Sequence, residues 1–462
     1  MRMARTSSPS SSRFFLSSQG AVVVAAATPR GSSALAIVRL SGADLASVVA
    51  SVVKPMGGPL QVGRSQRVLL SDEDGAFDDG LAVLGRGPRT YTGEDTLEVT
   101  CHGNPLIVSR LLAAFTARGA RLAEPGEFTK RAVVNGKLDL VSAEAVDQVC
   151  RATTHGGIAV GRAGLDGVLS AFLDQLRGDL LGLAAELEAR LDYPADELAR
   201  VSDSNVVASL RQASASCREV AATYSAGRHL VEGARVALVG AVNAGKSSLF
   251  NGLLGRRRAL VHETAGTTRD VLEVPVSICG CAVTLLDTAG ERVTSDPIEA
   301  AGLALARELV DEADLLLVVL RARPTGSSPV ERALLQRTSD RRRIVVYNGV
   351  DLPDCAAAPV DAISTSALEG SGLDELQRAI AEALVGTSTR ADALMIASAR
   401  QRDRLSATAD AVDEAIAALP VAGIAVAADA VTRGIDELDS LTGADTREDV
   451  LDALFARFCI GK

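Results

Sequence analysis

The stretch "RVALVGAVNAGKSSLFNGLL", Arg235 to Leu254, decides how the chain is organised. It opens with the apolar run RVALV, as a buried strand requires, and closes with SSLFNGLL, whose apolar residues recur at helical spacing. Between them, Gly240-Ala-Val-Asn243-Ala244-Gly245-Lys246-Ser247 fits G-x-x-x-x-G-K-S in the strand–loop–helix setting that the motif needs. Its glycines let the backbone wrap closely, so main-chain N–H groups and a helix N-terminus can cradle phosphates. Lys246 is placed to reach the β- and γ-phosphates, and the Ser247 hydroxyl, with Ser248 beside it, to bind Mg2+.

The neighbouring motifs extend this reading. Asp287-Thr288-Ala289-Gly290 follows the apolar strand AVTLL. An Asp at that strand end acts on the metal through a water, and Gly290 lets its amide approach the γ-phosphate. Between the two motifs, "AGTTRD" (Ala265 to Asp270) offers Thr268 as a second Mg2+ ligand, in a switch ordered by the third phosphate. Further on, Asn348-Gly349-Val350-Asp351 follows a buried strand and resembles the N-K-x-D of GTPases. Asp351 can accept two hydrogen bonds from guanine that adenine cannot offer, and an unpaired carboxylate would cost about 1–3 kcal/mol or more. Gly349 stands in place of the usual lysine, whose stem covers the base, and Ser366-Ala367-Leu368 resembles the last guanine-contacting loop. GTP is the expected nucleotide.

Glu291 stands just after D-x-x-G, where Ras-like enzymes carry a Gln, and none of the next eight residues is Gln. Another device must therefore position water and neutralise the transition state. Asn243 can ligate a monovalent cation beside the phosphates, with K+ supplying the charge of an arginine finger, or it can be a plain turn residue.

The 462 residues suffice for roughly three domains. At 47% hydrophobic and 23% charged, the chain can bury large cores. A net charge of −10 argues against coating nucleic acid by charge alone, and with no Trp there is little for base stacking. The seven cysteines are scattered, odd in number and without a C-x-x-C pair, which reads as a reduced, intracellular protein. No apolar run approaches the 18 or so residues that span a bilayer. The first 20 residues hold seven Ser, three Arg and no acid. An organellar transit peptide and a plain N-terminal extension on a cytoplasmic protein both fit that composition.

Residues 21–138 mix short β-rich runs with the helical "PLIVSRLLAAFTARG" and read as an α+β domain. From 139 to 230 the strand signal vanishes in favour of Ala/Leu-rich helices, and 231–385 alternate strand and helix. Helix returns over 386–462. The expected fold is multidomain α/β, with a P-loop GTPase domain inserted into a discontinuous helical domain whose two segments pack together.

The pieces together resemble the MnmE (TrmE) family of tRNA-modifying GTPases. "ATPRGSSALAIVRLSG", "YTGEDTLEVTCHGNP", "EPGEFTKRAVVNGKLDL", "EARLDYPADE", "NAGKSSLFN", "AGTTRDV", "LLDTAGER" and the terminal "FCIGK" carry the resemblance, in order, over nearly the whole chain after the first 20 residues. It implies a folate-binding N-terminal domain that also self-associates into a homodimer, a flavin-dependent MnmG-type partner forming a heterotetramer, and no membrane. It further implies transfer of a carboxymethylaminomethyl-type group to C5 of the wobble uridine of certain tRNAs. A 5,10-methylene- or 5-formyl-tetrahydrofolate would donate the one-carbon unit.

By the same resemblance, folate contacts fall on Arg39, Glu98, Lys137 and Lys462, whose charges suit glutamate carboxylates and a pterin edge. K+ falls on Asn243, His262, Thr264 and Thr267, Mg2+ on Ser247 and Thr268, and the nucleotide also on Glu263, Ala265 and Gly266. Glu299 matches the acid that orients the attacking water through a second water. "TPRGSSALA" lacks the usual glycine-rich run and His262 stands where Thr is common.

The ending fits a prenylation box badly, since Gly461 and Lys462 follow Cys459-Ile460. "EDVLDALFARF" reads as an amphipathic helix that should dock its Leu/Phe face and carry Cys459 to a definite place, by resemblance the folate pocket. There a thiolate would act as nucleophile or acid/base, with Lys462 as the neighbour to lower its pKa. The rival reading is a GTP-dependent switch in ribosome assembly without modification chemistry, which explains neither the N-terminal domain nor this cysteine.

Overall fold

A computed structural model describes residues 20–192, 203–255, 272–287, 310–353, 355–386, 394–443 and 448–461. These form two compact units, one of residues 1–143 with 442–462 and one of residues 144–441.

The first unit is built on a seven-stranded sheet. Its strands are β1 (Val23–Ala26), β2 (Leu35–Ser41), β3 (Val53–Pro55), β4 (Ser65–Asp72), β5 (Gly75–Gly85), β6 (Thr96–His102) and β7 (Arg121–Leu122). They lie in the order β3-β4-β5-β6-β2-β1-β7, antiparallel except for β1 with β7. The period-2 alternation of a strand sorts the side chains between the two faces. Val24, Val38, Leu40, Leu97, Val99 and Cys101 point into the main core, under Leu111 and Phe115 of helix Pro105–Thr116. Asn104 caps that helix by accepting from the Leu106 N–H, and Pro105 opens it.

The alternate residues Val23 and Ala25 face the other way, against Phe128 of helix Glu127–Val134. Arg39 and Glu98 lie between the inward residues of β2 and β6, and so share this second face. The C-terminal helix Glu448–Phe455 belongs to the same unit, where Leu451, Phe455 and Phe458 pack with Leu140 and Ala143. The apolar face of this helix is docked, as its pattern predicts. Within the segment expected to be helical over 386–462, this last helix packs with the first unit.

The second unit carries the sheet β8 (Ala234–Gly240), β9 (Leu272–Ile278), β10 (Cys281–Asp287), β11 (Leu315–Arg321), β12 (Arg343–Asn348) and β13 (Ala362–Thr365). Its order is β13-β12-β11-β8-β10-β9, parallel except for β9. Burial on both faces explains the near-continuous apolar runs of β8 and β11. The chain order reverses at β8, and the crevice beyond the carboxyl end of such a strand is where α/β sheets take ligands.

The helical remainder of this unit comes from both sides of the insert. Helices Asp203–Ala222 and Ala399–Val421 lie against each other, burying Leu210, Cys217, Leu405, Ala409 and Val412. Glu144 receives the Arg400 guanidinium at 2.9 and 3.0 Å, together with Ser398 and Gln401. Among the described residues no single helix is long and apolar enough to cross a membrane.

Candidate functional sites

The phosphate loop leaves β8 at Gly240 and enters helix Lys246–Leu254. Gly245 precedes that helix with φ 88°, and a Cβ there would lie 2.2 Å from Asn348 Nδ2, so only glycine fits. Asn243 also has positive φ, 61°, which turns the loop in a conformation that Asn tolerates better than most residues. The buried Lys246 side chain folds back over the loop, its Nζ donating to the carbonyls of Gly240 (2.9 Å) and Ala241 (3.1 Å). Asn243, Ser247 and Ser248 are exposed, Ala244 is buried, and Asp287 ends β10 half-buried.

The guanine-reading segments converge on the same loop. Buried Asn348 donates from Nδ2 to the Ala244 carbonyl at 3.4 Å, while its Oδ1 accepts from Thr365 Oγ1 and the Ala367 N–H, both at 3.2 Å. One side chain thus ties the phosphate loop to Ser366-Ala367-Leu368. Ser366 is buried, its hydroxyl accepting from the Glu369 N–H at 3.1 Å, while Leu368 and Asp351 are exposed. Gly349, where the pattern has lysine, has φ 91°, a left-handed conformation that glycine adopts without strain. His262, Glu263, Thr264, Ala265, Gly266, Thr267, Thr268, Thr288, Ala289, Gly290 and Glu299 lie outside the described residues, as does Glu291.

The second site lies on the outer face of the first unit's sheet. Arg39 and Glu98 are register partners on β2 and β6, and Arg39 Nε donates to Glu98 Oε1 at 2.8 Å. The same guanidinium donates to the Gly461 carbonyl at 3.2 Å and lies 5.8 Å from the centre of the Phe128 ring. Both charged groups stay partly exposed, so they can still meet a ligand.

The chain end is strapped to this face. The Gly126 N–H donates to the Cys459 carbonyl at 3.3 Å, Phe458 is buried, and Gly461 has φ 92°. A Cβ on Gly461 would lie 2.5 Å from the Ala26 carbonyl oxygen. Cys459 and Ile460 between these anchors are exposed. By contrast, the Cys101 thiol is pushed up to about 11, first by burial and then by Asp78, and burial pushes Cys217 up to about 12. All seven cysteines are free. Lys137 sits apart from the Arg39 contacts, donating from its exposed Nζ to the Pro88 carbonyl at 3.0 Å. Lys462 lies outside the described residues.

Sequence reasoning missed what holds this face in place. Buried Arg131 donates to Glu94 at 2.8 Å, to Glu127 at 3.0 Å and to the Ala21 carbonyl at 3.1 Å. Glu94 also accepts from the Ser41 hydroxyl at 2.7 Å, and Arg121 pairs with Glu127. Burial acts to raise the Glu127 carboxyl, but hydrogen bonds from Arg121, the Glu124 N–H and Arg131 hold it below the usual range. Tyr91, from the same loop as Glu94, shares a hydrogen bond with Thr129 at 2.9 Å, and burial raises its phenol. The signal was present in "YTGED" and "GEFTKR", but nothing in one sequence pairs position 94 with 131.

Known proteins give an independent measure. The family profile described as MnmE helical domain matches residues 140–459, and that described as GTP-binding protein TrmE N-terminus matches residues 22–137. The chain is 39% identical over 465 residues to the tRNA modification GTPase MnmE of Moorella thermoacetica, covering 95% of this chain and 99% of that protein. The proteins of the same name from Roseiflexus sp. and Thermotoga maritima are 38% and 36% identical, over the same shares of each chain.

Proposed function

Since the chain belongs to the MnmE family of tRNA modification GTPases, we propose that its two sites divide the work between GTP turnover and carbon transfer. In this reading the enzyme modifies C5 of the wobble uridine of certain tRNAs with a carboxymethylaminomethyl-type group. It acts as a cytoplasmic homodimer together with a flavin-dependent MnmG-type partner, in a heterotetramer. A reduced folate, 5,10-methylene- or 5-formyl-tetrahydrofolate, supplies the one-carbon unit when bound.

The observation that carries the proposal is the terminal strap. Hydrogen bonds from Gly126 and Arg39 hold the exposed Cys459 on the same face as the Arg39–Glu98 pair. That donor set suits folate, because a guanidinium takes a carboxylate and Glu98 can accept from the donor edge of a pterin. Lys137 and Lys462 would add charge for the glutamate tail. Cys459 serves as the nucleophile or acid/base of this face.

At the other site, the loop N–H groups and Lys246 would bind the triphosphate, Ser247 and Thr268 would hold its Mg2+, and Asp287 would act on the ion through water. Asn348, Asp351 and the Ser366–Leu368 loop hold guanine. Thr288 and Ala289 would contact the nucleotide, the Gly290 amide would approach the γ-phosphate, and Glu299 would orient the attacking water through a second water. Asn243, with His262, Thr264 and Thr267, would hold K+ and make hydrolysis depend on paired G domains. The deciding test is Cys459→Ser: tRNA modification is lost while GTP hydrolysis persists, and parallel loss of both would assign the cysteine a structural role. Light scattering with a transition-state analogue of GTP should respond to K+ and not to Na+, and indifference to the cation would count against paired G domains.

A further inference from the structure

Residue 349 of the N-K-x-D-like segment has no side chain, and its backbone is left-handed. The neighbouring strand brings a cation to the same place. Arg321 ends β11 directly opposite Asn348 in the parallel register, and the Ala322 N–H donates to the Asn348 carbonyl at 2.8 Å. From there Arg321 Nη1 donates to the Asn243 main-chain carbonyl at 2.9 Å. Asn348 holds the next carbonyl of the phosphate loop, that of Ala244. Two register partners thus clamp two consecutive peptide groups of the loop that would carry the phosphates.

The arginine has a fixed base. Its own N–H donates at 3.0 Å to Glu331 Oε1, whose residue is fully buried. Glu331 also accepts from the Ser328 N–H at 2.7 Å in a helix capping box. The backbone on either side of the Arg321 side chain is therefore held by Glu331 and by Asn348.

We propose that Arg321 is a positioning residue of the GTPase site: from the adjacent strand it supplies the cationic link between guanine-reading segment and phosphate loop that residue 349 cannot supply. It holds the Asn243 peptide in its positive-φ conformation and brings positive charge to the outer edge of the loop. Affinity for guanosine di- and triphosphates depends on it.

The test is equilibrium titration of the full chain with a fluorescent N-methylanthraniloyl-GDP, alongside steady-state GTP hydrolysis. Arg321→Ala raises Kd roughly tenfold, the scale of one exposed charge-assisted hydrogen bond, while Arg321→Lys stays within about threefold of the parent. In hydrolysis by Arg321→Ala, KM rises more than kcat falls. A Kd for Arg321→Ala within about twofold of the parent overturns the proposal, that being less than one such bond is worth. So does equal loss in Arg321→Lys and Arg321→Ala. A drop in the unfolding temperature of nucleotide-free Arg321→Ala that accounts for the lost binding overturns it as well, because the contact is then only structural.

Discussion

The nucleotide site and the strapped face of the first unit reach order by different routes. The phosphate loop is one contiguous run, Gly240 to Ser247, shaped by its own backbone and by the side chains of Lys246 and Asn348. The outer face of the β1–β2–β6 sheet instead gathers positions 39, 98, 126 and 459–461, with a charged network of Glu94, Arg121, Glu127 and Arg131 whose last two members are buried. A backbone-built site tolerates side-chain change outside a few positions. A charge-built site fails when any one partner goes, because a buried charge left alone costs more than the pair contributes.

The largest effect should follow from Arg131→Ala, which takes from Glu94 its guanidinium partner and leaves Glu127 with Arg121 and the Glu124 N–H alone. A loss of about 3–5 kcal/mol is expected, read as faster hydrogen exchange in β1 and β2. Unchanged protection would break the contrast. Lys246→Ala should lower GTP hydrolysis by roughly two to three orders of magnitude, the scale of one preorganised donor at developing charge. Binding of 5-formyl-tetrahydrofolate, followed by calorimetry, should be untouched, and a shared loss would mean the sites are not separable.

Gly461→Ala is smaller in energy, about 1–2 kcal/mol for a side chain in left-handed backbone. It should release the strap and lower tRNA modification while hydrolysis of GTP continues. The mildest effect concerns acid. Because Glu127 has a folded pKa below its ordinary value of 4.5, its stabilisation is complete above that pH and lost as pH falls through the folded value. Below pH 4.5 the unfolding temperature of the parent should therefore fall towards that of Glu127→Gln. Parallel curves would show that Glu127 stays ionised throughout.

The same contrast explains what could be read from the sequence. The phosphate loop, D-x-x-G start and the segment expected to read guanine are short, contiguous, and flanked by apolar strands, so local pattern placed β8, β10 and β12. The docked Leu/Phe face of the last helix was also legible, since Leu451 and Phe455 recur at helical spacing. The Arg131 network and the Arg321 contact were not. Each joins residues far apart in the chain, and a solitary arginine in a sequence looks the same on a surface or in a cluster. The departure at Gly349 was visible, but its φ of 91° is a property of the folded backbone.

The strap also has a consequence for biosynthesis. Phe458 and Gly461 complete a unit whose first strand, Val23–Ala26, leaves the ribosome hundreds of codons earlier. That unit therefore stays incomplete until the intervening helical and nucleotide-binding segments have been synthesised. Until then Arg39 lacks the Gly461 carbonyl, and Leu140 lacks its Phe455 and Phe458 neighbours.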